Sequence, residues 1–175
     1  MRLEEYWRPG RILPEYIGLL REYCSAIERH FGENLVSICV FGSVARGESE
    51  PSSDIDVMVV AENLPQDAGE RTRSTNYIHE ALKKTGSRAV LKSLGRSTLI
   101  SDIFLTPKEV ERHPPILIDM VEDAVILYDR GGFLRRVLEN LKEKLEKTGA
   151  RRVPTKRGYL WILKPDTKPS EVVEI

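Results

Sequence analysis

From Pro14 to Phe31, apolar side chains at Ile17, Leu20, Cys24, Ile27 and Phe31 return every three or four residues, a spacing that gathers them on one helical face. Gly32 supplies a stop. The period then changes. Leu35 to Phe41 and Ile55 to Val60 are short runs rich in strand-favouring residues, so each predicts a strand. Between them, GSVARGESEPSSD has the Gly, Ser and Pro content of a loop, and its first part is expected to enter a helix after Ser43. Asp67 to Lys84 is polar with an apolar side through Ile78, Ala81 and Leu82, which predicts a surface helix ended by Gly86.

Thr98 to Leu105 is a third strand candidate, followed by TPKE. There Thr106 can cap a helix, Pro107 can take its first position and Glu109 can reach back, the pattern of a capping box. Pro115 to Asp123 predicts a short helix, Val125 to Tyr128 a fourth strand, and Asp129 to Gly132 a turn. Leu134, Leu138, Leu141 and Leu145 then line one face of a helix whose other face is Arg, Lys and Glu, as a helix docked on a sheet requires. Beyond it, GYLWILK is an apolar run between Pro154 and Pro165, read as a strand or strap packed on the core ahead of a polar tail. The elements predict an α+β fold, with residues 1–150 as one domain and 151–175 as a C-terminal strap and tail. No internal repeat is present.

At 175 residues the chain is long enough for one domain with a substantial core and too short for two large ones. Lys plus Arg and Asp plus Glu each total 27, so no global basic field marks a nucleic-acid binder. No apolar run approaches the ~20 residues needed to cross a bilayer, and MRLEEYWRPG lacks the apolar core of a secretory signal, so a cytoplasmic protein is expected. Cys24 and Cys39 lie in apolar stretches without CxxC spacing and read as buried hydrophobes. His30, His79 and His113 have no ligand spacing.

Candidate chemistry centres on the second strand. Side chains alternate across a strand, so Asp54 and Asp56 share one face and Ile55, Val57 and Val59 the other. Paired carboxylates repel one another until a divalent cation sits between them and a phosphate, and their oxygen ligands suit Mg2+ or Mn2+. Gly42 and Ser43 directly follow a buried strand, where glycine allows close backbone approach, amides can hold phosphate oxygens, and Ser43 adds a hydroxyl donor. A phosphate cradle beside a two-carboxylate metal site is the minimum apparatus for phosphoryl or nucleotidyl transfer.

These residues, as GSVARGESEPSSDIDVMVV, resemble the GSxxRG…SDxDxxV signature of the polymerase-beta-type nucleotidyltransferase superfamily. The motif covers Phe41 to Val60, and the order of elements to Lys147 is compatible with that superfamily. The resemblance implies a mixed β-sheet flanked by helices, like a polymerase-beta palm. It implies that Gly42, Ser43, Arg46 and Ser53 bind the triphosphate while Asp54 and Asp56 bind Mg2+ or Mn2+ and carry catalysis. It further implies a third carboxylate on a later strand, for which Asp102 in LISDIFLT is the candidate.

The implied reaction moves a nucleoside monophosphate from an NTP, ATP foremost, to an acceptor hydroxyl on RNA, protein or a small molecule, releasing pyrophosphate. The alternative is a catalytically weak, antitoxin-like nucleotide-binding module acting through a protein partner. Plainer roles are assigned to the remaining charges. Glu109 belongs to the capping box, Asp119 and Asp123 to a helix surface, and Arg71, Arg73, Arg88, Lys92 and Arg96 to a solvated face. Arg151, Arg152, Lys156 and Arg157 could bind phosphate or solvent, and Tyr159 and Trp161 are expected to pack into the core.

Overall fold

A computed structural model describes residues 10–155, 158–163 and 165. Helix α1 (Pro14–Phe31) begins with Pro14 in its first turn and Glu15 beside it, and ends with Arg29 and His30, a charge order that suits the helix dipole. It buries Tyr16, Leu19, Leu20, Tyr23, Cys24 and Ile27. A 3-10 turn leads into β1 (Leu35–Phe41), then the short α2 (Gly42–Arg46) and β2 (Ile55–Ala61). Helices α3 (Ala68–Leu82) and α4 (Gly86–Ser93) connect β2 to β3 (Ile100–Leu105). They are followed by α5 (Pro107–Glu111), α6 (Ile116–Asp123), β4 (Val125–Asp129) and α7 (Phe133–Lys147). A ribbon of β5 (Arg151–Thr155) and β6 (Gly158–Ile162) comes last.

The main sheet runs β3-β2-β1-β4, with β1 antiparallel to β2 and β4 and β2 parallel to β3. It is therefore mixed, as expected. Alternation splits the core between its two faces. On one face Ile38, Val40, Ile55, Val57, Val59, Ile100 and Phe104 pack with the buried residues of α1, α3 and α4. On the other, Cys39, Met58 and Val60 meet Val110 of α5, Leu117 and Met120 of α6, and Leu134, Leu138, Leu141 and Leu145 of α7. Both cysteines are free and buried, as expected, and burial drives the Cys39 thiol up to about 12. Among the described residues no helix is long and apolar enough to cross a membrane.

Four expectations need correction. Gly86 does not simply end a helix. Thr85 accepts the Arg88 N–H and starts α4, whose Leu91 is fully buried. Arg71 does not belong to a solvated face. It is buried, and its guanidinium donates to the carbonyls of Pro65 and Phe104 and to both oxygens of Glu109. The GYLWILK run does form strand β6, but it is only half inserted, with Trp161 and Leu163 packed on the second cluster and Tyr159, Leu160 and Ile162 exposed. A two-stranded ribbon has just one face to turn inward. Asp123, finally, is not a surface residue, being 2% exposed. The expected tail beyond 165, with Lys156 and Arg157, lies outside the described residues.

Candidate active site

The site is built where β1 ends and β2 begins. Phe41 and Asp56 are register partners on these antiparallel strands, so the chain leaving Phe41 turns directly over the Asp56 carboxylate. Gly42 makes that turn with φ +71, and a Cβ there would lie 2.4 Å from Asp56 Oδ2. Both the left-handed backbone and the contact demand glycine. The turn closes at Gly47, again left-handed, whose N–H reaches the Val44 carbonyl at 3.2 Å while the Glu48 N–H reaches that of Ser43 at 2.9 Å. Arg11 O packs 2.8 Å from where a Gly47 side chain would begin. Gly42, Ser43 and Arg46 thus sit on one short turn facing the β2 carboxylates.

Asp54 and Asp56 are brought together as expected. Asp56 is half-buried, and burial first, then the Asp54 charge, raise its carboxyl above the usual carboxylate range, with Arg46 pulling the other way. Asp54 Oδ1 accepts the Ser97 hydroxyl at 3.3 Å from the loop before β3. That loop also fixes the spacer, since Ser97 N–H donates to the Pro51 carbonyl and Arg96 to the Ser49 carbonyl. Ser53 closes the spacer turn, donating its N–H to the Glu50 carbonyl and accepting the Glu50 N–H on its hydroxyl, which leaves its own proton available. A pair of neighbouring carboxylates without an ion-pair partner in contact among the described residues fits a hard divalent cation, and Mg2+ is commonly held by one or two carboxylates with phosphate oxygens completing the shell.

Asp102 does not join them. It pairs in register with Val57, not Asp56, and so lies on the opposite face of the sheet, where it accepts the Tyr23 hydroxyl at 2.7 Å and contacts His79 Nε2 at 2.8 Å. The residue beside Asp56 is Ser101. Among the described residues no group of three or more His, Cys, Asp or Glu side chains is placed to hold a metal ion.

Sequence reasoning missed a second feature of the site. Arg46 Nη1 donates to Asp123 Oδ2 at 2.7 Å, and Arg152 of β5 binds the same carboxylate through Nη1 at 2.7 Å and through Nη2. Burial opposes the Asp123 charge, but the hydrogen bonds from Arg152 and Arg46 outweigh it and hold its carboxyl below the usual range. Tyr159 of β6 places its ring 3.9 Å from Arg152 Cζ and 5.4 Å from Arg46 Cζ. The arginine-rich start of the final segment was a signal, but nothing local says that it folds back onto the Gly-Ser turn.

Comparison with known proteins supplies the family. The model of the nucleotidyltransferase domain family matches residues 20–150. A Methanocaldococcus jannaschii protein, provisionally named a protein adenylyltransferase, is 32% identical over 127 residues, covering 71% of this chain and 79% of its own. Among solved structures, a toxin-antitoxin protein crystallised with AMP-PNP overlaps 78% of this chain and 94% of its own, at 16% identity and TM-score 0.47. A Sulfolobus solfataricus protein, provisionally named a nucleotidyltransferase, overlaps 70% of this chain and 90% of its own, at 21% identity and TM-score 0.39. The family match over residues 20–150 takes in the Gly-Ser turn, the acidic strand and all four strands of the main sheet, and the relative is 32% identical over 71% of the chain: the chain belongs to the nucleotidyltransferase domain family and is a nucleotidyltransferase.

Proposed function

We propose that the protein is a metal-dependent adenylyltransferase that moves AMP from MgATP to a hydroxyl of a protein side chain, in the cytoplasm. The observation that carries this reading is the packing of the Gly42 turn directly on Asp56, which puts a phosphate-binding turn and a carboxylate pair within one contact of each other. The choice of adenylyl and of a protein acceptor is supported by the name of the Methanocaldococcus relative.

Gly42 and Ser43 receive the triphosphate, Arg46 offsets its charge, and Ser53 can donate its hydroxyl. Asp54 and Asp56 would hold Mg2+ or Mn2+, which when bound neutralises charge on the phosphates. The acceptor hydroxyl gives up its proton to solvent as its oxygen bonds to the α-phosphorus and the bond from that phosphorus to the pyrophosphate oxygen breaks, releasing pyrophosphate.

The test is incubation of purified protein with α-labelled ATP, Mg2+ and cell extract of its source. Label should pass to protein in the wild type and not in Asp56→Ala. Equal labelling by both, or nucleotide binding with no Asp56-dependent release of pyrophosphate, would overturn the reading and favour a binding module.

A further inference from the structure

The β5–β6 ribbon begins at Arg151, just past the family-matched stretch, yet it returns to the Gly-Ser turn. We propose that Arg152, acting through Asp123, is a positioning residue that aims Arg46 at the bound triphosphate, making the ribbon a working part of the nucleotide site. This rests on the nucleotide-binding reading above.

Arg46 has two anionic partners of different kinds. Glu48 accepts its Nε at 2.7 Å with a side chain 54% exposed, whereas Asp123, at 3%, accepts Nη1 from inside the protein. An exposed ion pair contributes little, so a phosphate can displace Glu48 from Arg46 at small cost. Asp123 stays. A buried carboxylate facing Arg46 alone would bind it fully and hold it away from the ligand. Here the carboxylate is shared, with Arg152 making a two-pronged contact on it, so Asp123 fixes the direction of Arg46 while part of its charge is already answered. Arg152 is itself held under the Tyr159 ring, and its Nε is buried with no hydrogen-bond partner among the described residues.

The experiment compares wild type, Arg152→Met, Arg152→Lys and Asp123→Asn in three readouts: dissociation constant for a fluorescent ATP analogue with Mg2+, KM and kcat for ATP, and the Arg46 Nε–H NMR resonance. Lysine keeps the charge but not the paired contact. Both Arg152 variants should shift the Arg46 resonance and weaken ATP binding about five- to tenfold, the size of coupling usual for contacting residues, with KM rising by a larger factor than kcat falls. Adding either to Arg46→Ala should weaken binding no further. Wild-type affinity in the Arg152 variants, or a lowered Tm without an Arg46 shift, reduces the ribbon to a structural role. Should wild type bind no ATP, the nucleotide reading fails first. If wild type binds but transfers nothing, affinity and resonance still decide the inference.

Discussion

Gly42 is the residue on which the phosphate turn and the metal site meet. An alanine there suffers two separate penalties: a left-handed φ of +71 and a Cβ 2.4 Å from Asp56 Oδ2. The first costs roughly 1–2 kcal/mol in backbone strain. The second is relieved only by moving the carboxylate or the turn, which disturbs function more than stability. Gly131 separates the two effects, because it is left-handed with φ +62 and ψ 15 and nothing lies within 4 Å of an added Cβ. We expect Gly42→Ala and Gly131→Ala to lose similar stability in urea unfolding, within about 1 kcal/mol of each other. Only Gly42→Ala should lose transfer, by about 100-fold in kcat/KM, the scale on which small misplacements act. Equal activity of the two variants would show that the contact with Asp56 has no functional weight.

At the scale of elements, the capping box after β3 does more than start a helix. Thr106 and Glu109 make the reciprocal contacts read from TPKE, but Glu109 also holds the Arg71 guanidinium, which in turn grips the Pro65 and Phe104 carbonyls. One carboxylate thereby joins α3, the end of β3 and α5. The hydrogen bond from Arg71 leads, against burial and with help from Thr106, in lowering the Glu109 carboxyl to about 2 from 4.5. A depressed carboxyl contributes stability that is complete above its unfolded value and disappears as pH falls through its folded value. Glu109→Gln should unfold more easily at pH 7 by about 1 kcal/mol, since it leaves a buried arginine with a weakened partner while solvent screens the partly exposed carboxylate. That gap should close as pH falls from about 4.5 toward 2. Urea titrations at pH 7 and pH 3 measure it, and a gap that does not change with pH would contradict the assignment. The capping box was legible because its chemistry is local. Arg71 was not, since its partners at 104 and 109 become neighbours only when α3 packs on β3.

Across the whole molecule, alternation along β2 was enough to place Asp54 and Asp56 on one face and the apolar residues on the other. It could not set the register between β2 and β3, which are joined by two helices, and a shift of one residue sends a side chain through the sheet. That is why Asp102 was legible as a strand residue and not as a member of the wrong face. The fold of the ribbon onto Arg46 was hidden for the same reason, as it is a long-range contact between charged residues that read locally as solvent-exposed. The two faces make opposite predictions for two aspartates. Asp102 is buried among partners, and burial together with its charge holds the Tyr23 hydroxyl protonated far above its ordinary range. Asp102→Asn should cost about 1–3 kcal/mol by leaving Tyr23 or His79 poorly paired. Its affinity for Mn2+ with a nonhydrolysable ATP analogue should remain within about twofold of wild type, a change well under the 1.4 kcal/mol of a tenfold effect. Asp56→Asn removes a charge that burial and Asp54 oppose, so it should unfold no more easily than wild type at neutral pH while losing Mn2+ binding. Calorimetric titration and thermal unfolding of both variants read the two columns of this comparison. Loss of Mn2+ binding in Asp102→Asn matching that in Asp56→Asn would mean that the sheet presents both carboxylates to one metal, contrary to the register of β2 and β3.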